Sequence, residues 1–195
     1  MLGLLAVGSL RADMLNLPAQ TGTFSSNVRG YWFTAPVAFQ ITGVGVPTDA
    51  SSGTQTIEIL RLNAPPPQYS STTNDFTSLF RVVGDSSLGL IPVSIAVGAG
   101  DVIGVLGYRG SVNSYGPQST ADIFGNSITL ARFGMQFNLN SVPAQDVWTE
   151  AGGNISRVNL EYGPAISGVP EPSTWMTLGL GVLSFGALKL RRRSS

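Results

Sequence analysis

The chain has 195 residues with no cysteine and no histidine, and 11% of it is charged, against the roughly 25% usual for soluble domains. Disulfides, thiol chemistry, a Ser-His-Asp triad, an imidazole zinc site and a histidine general base are all excluded by that inventory. The formal net charge of zero averages two unlike parts, because Asp13 to Ser167 holds six arginines, no lysine and ten acids, a net of −4, while the tail is basic.

Met1–Ala12, MLGLLAVGSLRA, is a short apolar run ending in small residues. It reads as the remnant of a secretory signal without its basic leading region. Ala12 or Ser9 would be the last residue before the cut. An N-terminal strand of the body is the other reading.

From Asp13 to Ile166 the chain reads as short strands between turn clusters. Val28–Ala35 is aromatic and stops at Pro36; Val37, Phe39 and Ile41 then alternate with polar or small residues, the period of a half-buried strand. Thr54–Leu62 resumes the alternation, with Ile57 and Ile59 inward and Glu58 outward, and the shift to Leu60 and Leu62 predicts a bulge. Pro65, Pro66 and Pro67 force an extended loop. Phe76–Val83 is a further strand.

Ile91, Val93, Ile95 and Val97 keep the clearest period of two in the chain, and Val102–Arg109 follows after Gly98–Asp101. That arrangement looks like the paired strands of jelly-roll modules, with a hairpin turn between them. Val93, Ile95 and Val97 are expected in one core with Val105, Val158 and Leu160. Gly110–Asn126 reads as a polar loop, and Ser127–Phe133 pairs with Met135–Leu139 around Gly134. Ile155–Tyr162 closes the body. Roughly nine or ten strands at such intervals predict an all-β body, an antiparallel β-sandwich of jelly-roll type over residues 13–166. The outward positions are rich in Thr, Ser, Asn and Gln, which suits water. No helical periodicity occurs before Trp175.

Signals of chemistry in the body are sparse. Gly84–Leu88 resembles the start of a GDSL-type hydrolase block, but Ser86 has no histidine to activate it, so it reads as a turn. Glycosidase chemistry needs only two carboxylates, and Glu58 and Glu161 both look like outward strand positions. Asp146 with Glu150, or Asp122 with Asn126, offers oxygen ligands to a Ca²⁺ ion, without the spacing of an EF-hand loop. No cofactor and no metal are therefore expected. Trp32, Tyr108, Tyr115 and Trp148 are candidates for an aromatic platform under sugar rings; core packing is the other reading of each, and the preferred one for Trp148. An acidic body without a basic stripe argues against nucleic acid.

The tail, residues 167–195, has three parts in order. Val169-Pro170-Glu171-Pro172 is stiff and extended, because two prolines fix φ and remove two donors. Trp175–Leu190 is apolar apart from Thr177, Ser184 and Lys189. As a helix it rises ~24 Å against a hydrocarbon core of ~30 Å. Trp175 at one interface and a snorkelling Lys189 near the other let it span as a transmembrane helix. Gly179 and Gly186 share a face that admits a close helix partner. Arg191, Arg192 and Arg193 follow, and place that end in the cytoplasm with the body outside.

This order of Pro-Glu-Pro, short apolar helix and arginine cluster resembles the PEP-CTERM sorting signal of exported proteins in Gram-negative bacteria; an ordinary tail anchor is the competing reading. The resemblance implies an exosortase-type membrane protease as partner, which reads Pro170, Glu171 and Pro172. It also implies passage through the inner membrane to the cell surface or extracellular matrix. The function expected is that of a non-enzymatic surface protein, with exopolysaccharide as a further partner. The alternative is a secreted carbohydrate-active enzyme on a jelly-roll scaffold.

Overall fold

In a computed structural model of the protein, the structure describes residues 12–165. Residues 1–11 of the leader expected over Met1–Ala12, and the helix expected over 175–190, lie outside the described residues. Within them no helix occurs, and the strands, in chain order, are β1 Asp13–Met14, β2 Gly22–Ser25, β3 Arg29–Thr34, β4 Phe39–Gly45, β5 Gln55–Leu62, β6 Phe76–Asp85 and β7 Ile91–Val97. They continue with β8 Val102–Arg109, β9 Val112–Pro117, β10 Ser119–Ile123, β11 Asn126–Gly134, β12 Trp148–Glu150, β13 Asn154–Ser156 and β14 Asn159–Pro164. All strand pairs are antiparallel.

The strands form two sheets. The smaller runs β1-β14-β4-β7; the larger runs β10-β11-β3-β8-β5-β6, with β12 beside β11 and a strip β2-β9-β13 joined through β8. Strand β8 is the spine of the larger sheet. Every residue in it is buried, as a strand covered on both faces must be.

One core lies between the sheets. Phe39, Ile41, Ile95, Val97, Leu160 and Tyr162 of the smaller sheet meet Tyr31, Phe33, Ile57, Ile59, Ile103 and Val105 of the larger. The Tyr31 hydroxyl donates to the Val158 carbonyl at 2.8 Å, tying β3 to the lead-in of β14. Of the set expected together, Ile95, Val97, Val105, Val158 and Leu160 are buried in this core and Val93 packs against it half-buried. Gly30 on β3 allows the tightest approach in the larger sheet: a Cβ there would lie 1.7 Å from the Val105 carbonyl oxygen.

A second core lies on the opposite face of the larger sheet. Leu60, Leu62, Leu106, Tyr108 and Phe133 are covered there by Leu139, Ala144 and Val147 from the segment that precedes β12. The outward position expected of Glu58 on β5 is corrected here, and the bulge expected at the shift to Leu60 is present for a different reason. Leu60 and Leu62 point to a second interior, so no change of face is needed to bury them. The register of β5 on β8 runs unbroken from Gln55 to Leu62. A shift does fall between Ile59 and Leu60, in the pairing with β6, where Leu79 is the extra residue. Glu58 is 1% exposed rather than outward. Its carboxylate accepts from Ser78 Oγ at 2.7 Å and from the Ala144 amide at 2.9 Å, with Arg81 Nε at 3.3 Å. Buried charge is tolerable when hydrogen-bonded and paired in this way.

Four further corrections concern connectivity. The Gly98–Asp101 turn does not close a hairpin: β7 pairs β4 in one sheet, and β8 pairs β3 and β5 in the other. The turn is an arch between sheets, pinned by Ala35, which accepts from Gly100 N and donates to the Asp101 carbonyl, both at 2.8 Å. Gly110–Asn126 holds β9 and β10 rather than a loop. Its polar residues mask the alternation, yet Asn113 and Ser114 are buried and satisfied, Asn113 Nδ2 donating to the Phe24 and Asn27 carbonyls. Gly134 is no hairpin turn either. It ends β11, opposite Arg29 of β3 on one side and Trp148 of β12 on the other. Finally, Ile155–Tyr162 is two strands, β13 and β14, which join different sheets on either side of Arg157.

Candidate functional site

Trp32 sits where the cover of the second core stops. On β3, Tyr31 and Phe33 face the first core, so Trp32 and Thr34 face the other side. The segment before β12 shields β8, β5 and Phe133 of β11 there but leaves open the outer face of β10 and of β11 from Ser127 to Ala131. Trp32 is half-buried against that cover. Its indole Nε1–H donates to Thr149 Oγ1 at 2.9 Å, and that hydroxyl donates in turn to the Arg132 carbonyl at 2.6 Å. The ring is therefore held in one orientation by its polar tip.

An open groove of about 350 Å³ runs from this ring, floored by Thr34, Thr129, Ala131 and Ser127. That size is at the small end of ligand pockets, roughly 300–1,000 Å³. Register explains the floor. Ala131 is opposite Trp32, and Thr129 is opposite Thr120 on the edge strand β10. Residues two apart on a strand share a face, so Thr34 of β3 and Thr129 of β11 line the groove on the side of the indole, and Thr120 of β10 is the register partner of Thr129. The sequence shows the outward hydroxyl residues of 127–131 one by one. It does not show that Thr34 joins them, because that requires the β3–β11 pairing.

The other aromatic candidates divide. Tyr108 is fully buried in the second core, its hydroxyl donating to Asn138 Oδ1 and accepting from the Asn140 amide. Burial pushes that phenol's pKa up. Trp148 is fully buried, as expected of core packing. Tyr115 is half-buried and stacks on Phe24, centroids 5.7 Å apart and planes 4° from parallel. Two arginines alternate with these rings: Arg29 lies 5.1 Å from Phe24 and 4.8 Å from Trp148, and Arg132 lies 5.7 Å from Tyr115 and 5.8 Å from Trp148. Such contacts gain strength where the cation is desolvated. Burial pushes the Arg29 guanidinium below its ordinary value. Gly134 lets the stack form: a Cβ there would lie 2.7 Å from Arg29 Cδ and 3.2 Å from Trp148 Cη2. Sequence reasoning missed this cluster, because Arg29 and Arg132 are 103 residues apart and meet only through the pairing around β11.

The acids are tied into the fold. Glu150 holds Arg132, Asp49 holds Arg157 and Asp101 holds Arg61. Glu161 accepts from the Thr42 hydroxyl at 2.8 Å. Asp146 accepts from Asn74 Nδ2 at 2.7 Å, and Asp122 accepts from the Gly125 amide at 2.6 Å across the β10–β11 turn. Asn126 Nδ2 donates to backbone carbonyls of that same turn. Asp85 closes the Gly84–Leu88 turn by accepting from the Ser87 amide at 2.9 Å.

The residues of the tail, Pro170, Glu171 and Pro172, Trp175, Gly179, Gly186 and Lys189, and Arg191, Arg192 and Arg193, lie outside the described residues. No curated protein and no solved structure matches the chain. Residues 168–193 match the family model of the PEP-CTERM protein-sorting motif. The tail is thus a PEP-CTERM protein-sorting motif, and it supports sorting of this protein to the cell surface by an exosortase-type enzyme.

Proposed function

We propose that this is a non-enzymatic surface protein, processed at its Pro170-Glu171-Pro172 motif, whose jelly-roll-like sandwich holds extracellular polysaccharide in the Trp32 groove. The observation that carries the binding reading is the fixed indole beside an array of hydroxyls. A sugar ring presents an apolar C–H face to stack on an aromatic ring and hydroxyls that match a hydroxyl-lined floor. The non-enzymatic reading is supported by the carboxylates. Glu58 is locked into the second core, and Glu150, Asp49 and Asp101 are committed to arginines.

Two measurements test this reading. Protein recovered from the cell surface should lack the peptides of Trp175 to Arg193 in its mass map, and Glu171→Ala should keep export but block that processing. Retention of those peptides in surface material would make the tail a permanent anchor. On a glycan array the protein should bind without releasing shorter products. Release of oligosaccharide would favour a glycosidase instead.

A further inference from the structure

We infer that the polysaccharide held in the Trp32 groove is an uncharged one, an inference that rests on the groove reading above. Polyuronates, and sulfated or phosphorylated glycans, are recognised by free guanidinium or ammonium groups that pair with their anions. Among the described residues there is no lysine, and the cations are six arginines. Each already answers a group of the body. Arg109 is fully buried and donates to the Val46, Gly53 and Ser87 carbonyls. Arg29 donates to the Val28 and Met135 carbonyls. Arg61, Arg81, Arg132 and Arg157 are held by Asp101, Glu58, Glu150 and Asp49.

None of the six is on the groove floor. The charged side chain nearest to it in register is Asp122, on β10 next to the Thr120–Thr129 pair, and it is exposed. An acid at the rim of a groove in an acidic body repels a polyanion. What the floor offers is hydroxyls of both donor and acceptor kind, at the ~4.8 Å spacing of adjacent strands, with one apolar ring. That set is complementary to a neutral hexose polymer and has nothing for a carboxylate.

The test uses the full chain in detergent against immobilised dextran, a soluble β-1,3-glucan and alginate, at low and at physiological salt. Binding to at least one neutral glucan is expected, with affinity changing less than about twofold between the salts, and no binding to alginate. Trp32→Ala should weaken it about tenfold or more. Thr129→Glu, at an exposed position that leaves the core intact, should abolish it. Thr129→Arg should add a salt-sensitive affinity for alginate. If the unaltered chain binds alginate, and Trp32→Ala removes that binding, the groove reading stands and the inference of neutrality falls. Should neither glucan nor alginate bind, or should Trp32→Ala and Thr129→Glu leave binding unchanged, the groove reading falls and this inference with it.

Discussion

The two faces of the larger sheet bury comparable side chains by different means. The face carrying Tyr31, Phe33, Ile57 and Ile59 is sealed by a second sheet. The face carrying Leu60, Leu62, Leu106 and Phe133 is sealed by an irregular segment, and only over part of its width. A sheet covers another sheet completely, but a loop covers what it can reach. The uncovered remainder, over β11 and β10, is where the groove and its indole are. An incomplete second core thus makes a surface that is flat, hydroxylated and bounded by an aromatic wall.

The sharpest way to break the sheet itself is at Gly30. Gly30→Ala would put a methyl group 1.7 Å from a backbone oxygen of β8, so the two central strands must separate. The expected loss exceeds the ~1–3 kcal/mol of ordinary overpacking, read as failure to give a cooperative urea transition. Ile59→Ala and Leu60→Ala compare the two faces directly, from adjacent residues that are both fully buried. Each should cost ~2–5 kcal/mol if its core is equally well packed. A much smaller loss for Leu60→Ala would show that the loop cover yields to fill the cavity where a sheet does not.

Smaller effects come from the edges of these cores. Burial alone raises the pKa of Asp49, but hydrogen bonds from Arg157 and Ser114 outweigh it, and the net shift is downward from 3.8. Asp85 is lowered too, first by the hydroxyl and then by the amide of Ser87. Carboxylates held below their ordinary value stabilise the fold fully above that value. The contribution is lost as pH falls below about 3.9 through the lower folded value. The urea midpoint should therefore drop on acidification in that window, and Asp49→Asn should flatten the drop. The smallest effect is expected at the groove floor. Thr129→Glu should change stability by less than about 0.5 kcal/mol, which separates its loss of glycan binding from any loss of fold.

Much of the fold was legible in the sequence where one face of a strand is apolar and the other polar. β7 and β14 show that plainly, and β3 and β8 were bounded correctly by aromatic and aliphatic runs. The reading failed where a polar residue lies on a buried face. In β5, Glu58 follows the polar phase of the alternation, yet it lies inside because a second interior exists on that side. It failed again in β9, whose Asn113 and Ser114 are buried by virtue of partners far away in the chain, and in β10, taken with it as one loop. The sheet change at Gly98–Asp101 has no local mark, since an arch and a hairpin use the same turn residues. As for the candidate site, Trp32 was open between platform and core, and the structure shows why: its ring touches the second core and also walls the groove. The sorting motif needed no fold at all to be read, because its three parts are contiguous.

The position of β14 has a mechanical consequence. Its six residues pair with β4 along their whole length, and β1 flanks it through Asp13 and Met14. The chain passes from β14 into the tail, so tension applied through the tail is delivered first to this strand. A pull along the strand loads its ladder of bonds together, whereas a pull across it would part them one pair after another. Leu160 and Tyr162, buried beneath the ladder, must be drawn past their neighbours in either case. Resistance to being torn from an anchor is a matter of the rate of forced opening rather than of equilibrium stability. For a tail that is retained, the first element to bear that load is one short strand held between two neighbours.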